Sequence, residues 1–417
     1  MRRFVTFFAV LTLSIPPAAD AGIVLTGGQV LSPAGDAWLN TAVRVDEGRI
    51  AAIGAPAVIA VEGDEQIDLD GARLVPGLID LHSHLTLYPY DQKPWNDQVL
   101  KESTELRTVR GVVHAQATVR AGWTTIRDLG TEGAGFADIA LRDAIDAGLI
   151  EGPRVLCATR ALVATGCYGP SGFAPHVDVP KGAEVCDGVD GVTLAVRRQI
   201  AAGADWIKVY ADYRRRPGDP STPTYSGAEL KAIVDEATSA GLPVAAHAKT
   251  DEAIRRAVIA GVRTIEHGTL ATTATLRLMK QRGVALCPTL AASDAIARYS
   301  GWDGGEPLHS RVVESRALIT RALESGVVIA CGSDVGVFGH GENVRELELL
   351  VAAGMTPGQA LRSATSVAAG VIDRADDLGT ITVGAVADLV ACPGDPLADV
   401  AALRDVSLVV KGGAPVR

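Results

Sequence analysis

Short apolar runs that stop on a single ligand-type residue recur along this chain. VPGLIDLHSHL runs into His82 and His84, ADWIKVY carries Lys208, and LPVAAHA carries His247. VRTIEHG carries His267 and VVIACGSDVG carries Asp334. Amphipathic helical stretches separate these runs, and each ends in glycine. Gly122 precedes WTTIRD, Gly148 the run to RVLCA, Gly203 ADWIKV, Gly241 LPVAAH, Gly261 VRTIEH, Gly283 VALCPT and Gly326 VVIACGSD. Glycine just past the last helical residue is a stop signal. Helices alternating with short buried strands predict βα units and parallel pairing. With a first strand at Leu78 to His84 the pattern counts eight strands. The predicted class is therefore α/β, built on a (β/α)8 TIM barrel. Barrel active sites lie at the C-terminal ends of the strands, and every ligand-type residue named above falls on that rim.

The flanks read differently. Residues 22–75 carry strand-like alternation in IVLTGGQVL, AVRVDEGRIAAIG and EQIDLDGARLV, and residues 376–417 repeat it in GTITVGAVADLVACPG and DVSLVVKGGAPVR. These two ends are expected to pair into one small β-sandwich domain around a barrel of residues 76–375.

At 417 residues the chain is long enough for both parts, and 47% hydrophobic residues suit a well-buried core. A net charge of −10 argues against a nucleic-acid partner. Arg214, Arg215 and Arg216 form the one tight basic cluster; it is either a solvated surface or an attractor for a carboxylate-bearing substrate. Residues 1–21 read as a signal peptide: Arg2 and Arg3, an apolar core from Phe4 to Ile15, and Ala19-Asp20-Ala21 as the cleavage site. The apolar core is too short to span a bilayer. No cysteine lies near the cleavage point, so no lipid anchor is expected and a periplasmic or secreted protein is. Such a compartment permits disulfides. Cys157, Cys287, Cys331 and Cys392 read as buried thiols. Cys167 and Cys186, in loop-like sequence, either form a bridge or stay free.

The spacing has chemical content. Side chains two apart on a strand share a face, so His82 and His84 can converge on one ion. Alone the pair could equally be two satisfied strand histidines, but a lysine inside an apolar strand is costly to bury as a cation. Lys208 either pairs with a nearby carboxylate such as Asp205, or its amine has reacted with carbon dioxide to give a carbamate that bridges two metals.

VPGLIDLHSHL, TTIRDLG, GADWIKVY, VAAHA, IEHG, GSD and the GxxADLV tail, in this order, resemble the metal-dependent amidohydrolase superfamily over nearly the whole mature chain. The branch resembled is the imidazolonepropionase-related one, which includes Xaa-Pro dipeptidases and ochratoxin-type amide hydrolases. The resemblance implies a binuclear centre, with zinc as the expected metal. His82, His84 and Asp334 would hold the more buried ion, His247 and His267 the more exposed one, and carboxylated Lys208 and a hydroxide would bridge them. The hydroxide would attack an amide carbonyl, and Asp334 would pass the proton to the leaving amine. Related dipeptidases carry a histidine in a Thr-Gly-Gly-His-like loop where this chain reads Thr165-Gly166-Cys167-Tyr168-Gly169. Its role passes to Tyr168, to His176, or is absent. Tyr210, on the same strand face as Lys208, either donates to a substrate carboxylate or packs on the rim. His340 in GHGEN either reaches the pocket or is an ordinary loop residue, and His114 and His309 read as structural.

The expected function is an amidase or dipeptidase releasing a C-terminal amino acid from a small-molecule or dipeptide substrate. Alternatives on the scaffold are a mononuclear deaminase or imidazolonepropionase-like hydrolase, which would lack the bridging lysine, and a lactone or organophosphate ester hydrolase. A non-enzymatic binding protein on the same barrel would have no use for all these ligand-type residues. The sequence leaves oligomeric state open, a homo-oligomer included.

Overall fold

The computed structural model describes residues 22–416 except Pro175 and Pro217, so the expected signal peptide lies outside the described residues. Seven of the apolar runs form strands: Leu78–Ser83, Trp123–Asp128, Arg154–Cys157, Ile207–Tyr210, Val244–Ala248, Thr264–His267 and Ala285–Cys287. They pair in parallel within two arcs. One runs Arg154–Cys157, Trp123–Asp128, Leu78–Ser83. The other runs Glu184–Val185, Leu162–Val163, Ile207–Tyr210, Val244–Ala248, Thr264–His267, Ala285–Cys287. The helix stops act as expected: Gly261 and Gly326 end their helices in the left-handed region at φ +102 and +67.

The eighth run departs from expectation. Residues 327–335 do not form a strand, and the ladders do not close into one continuous barrel. This segment follows its neighbours through the isolated bridges Leu286 to Ile329 and Ser83 to Val335 and through backbone bonds such as Leu81 N–H to the Cys331 carbonyl at 3.0 Å and Asp334 N–H to the His82 carbonyl at 2.8 Å. The reason lies in what the segment bonds to. Asp334 sits at φ +62, and the Ser333 N–H donates to the Asp80 carboxylate at 3.0 Å instead of to a strand. Between the two arcs, the N–H groups of Asp205 and Trp206 both donate to the Cys157 carbonyl, at 2.8 and 3.1 Å.

The chain ends meet. Leu389–Cys392 pairs antiparallel with Arg73–Pro76 inside a six-stranded mixed sheet that also holds Gln29–Leu31 and Leu408–Lys411. Leu25, Val43, Ile50, Leu74, Ile381, Leu389 and Val410 share one buried cluster, so residues far apart in sequence are desolvated together.

All six cysteines are free thiols, which corrects the bridge considered for Cys167 and Cys186. Cys186 is buried, with Sγ 3.3 Å from the Tyr225 hydroxyl, while Cys167 Sγ faces the Thr165 carbonyl at 3.7 Å. Each sulfur therefore has its own environment. Among the described residues no helix is long and apolar enough to cross a membrane.

Candidate metal centre

Buried Asp80 builds the floor of the site. It accepts the His82 N–H at 3.0 Å, the Ser333 N–H at 3.0 Å, the Ser333 hydroxyl at 2.5 Å and the Asn343 amide at 2.6 Å. One carboxylate thus ties the histidine strand to the segment carrying Asp334. His84 Nε2 lies 3.2 Å and His82 Nε2 3.6 Å from Asp334 Oδ1. The donor atoms of these three residues all fall within 4.8 Å of one another.

Each of three rings is oriented through its other nitrogen. His84 Nδ1 meets the Gly130 carbonyl at 2.8 Å, and a carbonyl can only accept, so Nδ1 carries the proton. His82 Nδ1 meets Glu266 Oε2 at 2.8 Å, and Glu266 is held by Arg127 at 2.9 Å. His267 Nδ1 lies 2.6 Å from the Thr289 hydroxyl, whose own hydrogen goes to the Pro288 carbonyl, so this nitrogen donates too. In all three, Nε2 is the nitrogen left to face the site. His247 closes the group, its ring centroid 4.4 Å from that of His267. Its Nε2 stands 3.7 Å from Asp212 Oδ1, too long for a hydrogen bond, and neither atom has a partner.

Lys208 is 1% exposed, and its Nζ has no hydrogen-bond partner. The pairing with Asp205 is ruled out: Asp205 accepts from Arg142 at 3.0 Å and from the Cys157 N–H at 2.9 Å. A buried ammonium with no partner is an expensive arrangement. An orphaned amine whose charge acts on His82, His247, His267 and Asp334 fits a site built for cations held with a carbamate.

The electrostatics of His82, His247 and His267 agree with that use, while His84 shares a proton with Asp334 that a metal would displace. Burial, then the charge of Lys208, pushes His82 down to about 4. Burial also drives His247 and His267 well below the usual imidazole value and lowers Lys208. Neutral imidazoles and an uncharged amine are the forms that bind metal and carbon dioxide. Burial favours neutral Asp334, but His82 and His84 hold it at about 2. Burial likewise disfavours charged His84, yet the hydrogen bond to Asp334 lifts it to about 9.

A cavity of about 790 Å³ opens over these residues. Tyr210 and Tyr168 both line it, stacked at 4.4 Å, with Tyr210 also stacked on His247 at 4.5 Å. Arg214 reaches the cavity, whereas Arg215 and Arg216 are exposed outside it. Two candidates are not brought in. His176 lies exposed in a turn. His340 is half-buried and does not line the cavity, its ring stacked on His114 at 4.1 Å.

Several residues escaped the sequence reading. Glu266 and Arg127 carried a usable signal, since each is a charge inside an apolar strand, the pattern that marked Lys208. Lys249 shares the strand face of His247 by the two-residue period. Glu132 and Arg311 lie off the strands and carried none. Because Glu266 orients His82, Glu266→Gln is expected to weaken metal affinity by about 10- to 100-fold. Competition against a chelator measures it.

The chain belongs to the amidohydrolase family, whose model matches residues 73–416. That family is generally metal-dependent, and the His82–His84–Asp334 group is in keeping with it. Among curated proteins the chain is 29% identical to an ochratoxinase of Aspergillus niger over 427 residues, covering 94% of this chain and 85% of that protein. Among solved structures it is similar to a prolidase complexed with N-methylphosphonate-L-proline (TM-score 0.83, 34% identity, 95% of this chain and 100% of that one). It is also similar to a Xaa-Pro dipeptidase with bound methionine in the active site (TM-score 0.84, 30% identity, 95% and 99%).

Proposed function

We propose that this chain is a binuclear amide hydrolase that releases a C-terminal amino acid from a dipeptide or an N-acyl amino acid. The observation that carries the reading is Lys208, buried without a partner and acting electrostatically on His82, His247, His267 and Asp334. Amide-cleaving relatives, a prolidase, a Xaa-Pro dipeptidase and an ochratoxinase, support the reaction type. We also read residues 22–75 and 376–417 as one small β-sandwich beside a (β/α)8 barrel of residues 76–375. Export to the periplasm or medium after cleavage at Ala21 belongs to the same proposal.

His82, His84 and Asp334 would hold one divalent ion, His247 and His267 a second, and carboxylated Lys208 both; zinc suits this donor set. When bound, such a pair supplies an acidified water and polarises a carbonyl. The chain's own part is positioning and proton transfer. Asp334, kept ionised by its histidines, accepts a proton and returns it to the leaving amine, which departs poorly unprotonated. Asp80, Glu266, Gly130 and Thr289 fix the groups that flank the reacting bond. Lys249 and Arg311 line the cavity, and neither has an ion-pair partner among the described residues. They complement the carboxylate of the leaving amino acid.

A mononuclear deaminase or ring-opening hydrolase would rest on the close His82–His84–Asp334 group alone. It leaves the unpartnered Lys208 unexplained. Amino-acid release from a panel of Xaa-Pro, Xaa-Phe, Xaa-Arg and N-acyl substrates, with lactone and phosphotriester controls, tests the proposal. Release from the panel is expected; turnover confined to the controls would overturn it. Lys249→Met is expected to raise KM by about 10- to 100-fold with a smaller change in kcat, as for a lost charged contact made equally to substrate and transition state.

A further inference from the structure

Glu132 is 3% exposed and lines the same cavity as His84 and Asp334. Its carboxylate has no cationic partner among the described residues. Oε2 accepts from Trp95 Nε1 at 2.9 Å and from the Tyr168 hydroxyl. Oε1 receives only a stretched 3.5 Å contact from the Tyr210 hydroxyl, longer than an ordinary O–H···O bond. The guanidinium of Arg107, on the helix Thr104–Arg120, is occupied elsewhere: it donates to the backbone carbonyls of Glu132 at 2.7 Å and Thr131 at 3.0 Å. Those bonds hold Glu132 at φ +51, a left-handed conformation that a non-glycine residue keeps only when its surroundings impose it. The loop is thus built to present a buried anion to the cavity and to leave one of its oxygens under-used. A buried carboxylate with only neutral donors is costly unless a cation arrives.

The same cavity also carries complementary charge. Lys249 follows His247 and Arg311 lies on the helix Ser310–Ser325, both without ion-pair partners among the described residues. His82, His84, His247, His267 and Asp334 line that cavity too. A molecule with a positive end, an amide and a negative end matches this set of groups.

We propose that Glu132 receives the α-ammonium group of the substrate, so that the enzyme acts on unblocked dipeptides in preference to N-acyl amino acids. This rests on the amide-hydrolase reading above. An N-acyl substrate offers Glu132 nothing and would bury it unpaired.

The test compares L-alanyl-L-leucine with N-propionyl-L-leucine, the same molecule without the ammonium group, on the metal-loaded enzyme. Wild type is expected to favour the dipeptide by about 10- to 100-fold in kcat/KM, the worth of a charge-assisted hydrogen bond. Glu132→Gln, which keeps an acceptor for Trp95 and Tyr168, is expected to shrink that ratio to within about threefold by losing activity on the dipeptide alone. Glu132→Asp retains the charge and should retain part of the preference. Equal losses on both compounds in Glu132→Gln, with the ratio unchanged, would make Glu132 a clamp for the aromatic wall and overturn the inference while leaving the amide-hydrolase reading intact. Release of leucine from neither compound by wild type would instead bring down that reading, and the inference with it.

Discussion

Lys208→Ala is expected to lose at least about 100-fold in kcat/KM on every substrate the enzyme turns over, and to hold less metal than wild type. Changing a group that merely orients a metal ligand costs about 10- to 100-fold, and a ligand shared by two ions should cost no less. The argument is one of charge. With metal bound, His82, His84, His247 and His267 would be neutral donors, so Asp334 alone would bring negative charge to the group. A carbamate on Lys208 would double it and would account for an amine that is fully buried yet bonded to nothing. A small carboxylate such as acetate, diffusing into the space left by the alanine variant, should restore part of the metal content. The metal-free protein gives a second check. There the unpartnered amine is a burden, so metal-free Lys208→Met should melt no lower than metal-free wild type. Wild-type activity and metal content in Lys208→Ala would show a structural lysine.

Asp334→Asn is expected to reduce kcat by about 100- to 10,000-fold at saturating metal, the range contributed by a positioned proton-transfer group. Asparagine keeps the shape but cannot accept and return a proton. Asp334 is prepared for that work by its setting: φ +62 aims it at the histidines, the two of them keep it ionised at about 2, and Asp80 pins the residue before it. Saturating metal matters because losing a charged ligand also weakens ion binding, and titration of metal into the variant separates the two effects. A kcat within about tenfold of wild type would remove Asp334 from the proton relay.

How much of this was legible in the sequence depended on the range of the interaction. His82 and His84 were readable because a period of two is a local property of strands, and Lys208 because a charge in an apolar run is conspicuous. The helix stops at Gly261 and Gly326 were local too. The 327–335 segment misled. Its apolar run promised a strand, but Ser333 gives its N–H to Asp80, and nothing near Ser333 announces a partner 253 residues away. Glu132 was invisible for a related reason. Its burial needs Arg107, Trp95 and Tyr168 from three separate segments, so a loop glutamate looked ordinary. His340 erred in the other direction: it sits in the loop after Asp334, yet its ring turns away and stacks on His114. Cys167 and Cys186 shared a loop-like stretch but face different surroundings.

The central claim is a two-ion centre organised by Lys208. Elemental analysis of the purified, metal-reconstituted mature chain, wild type beside Lys208→Ala, tests it most directly. About two divalent ions per wild-type chain, falling to one or fewer in the variant, is the predicted result. One ion per chain in both proteins would contradict the account and leave His82, His84 and Asp334 as a mononuclear site.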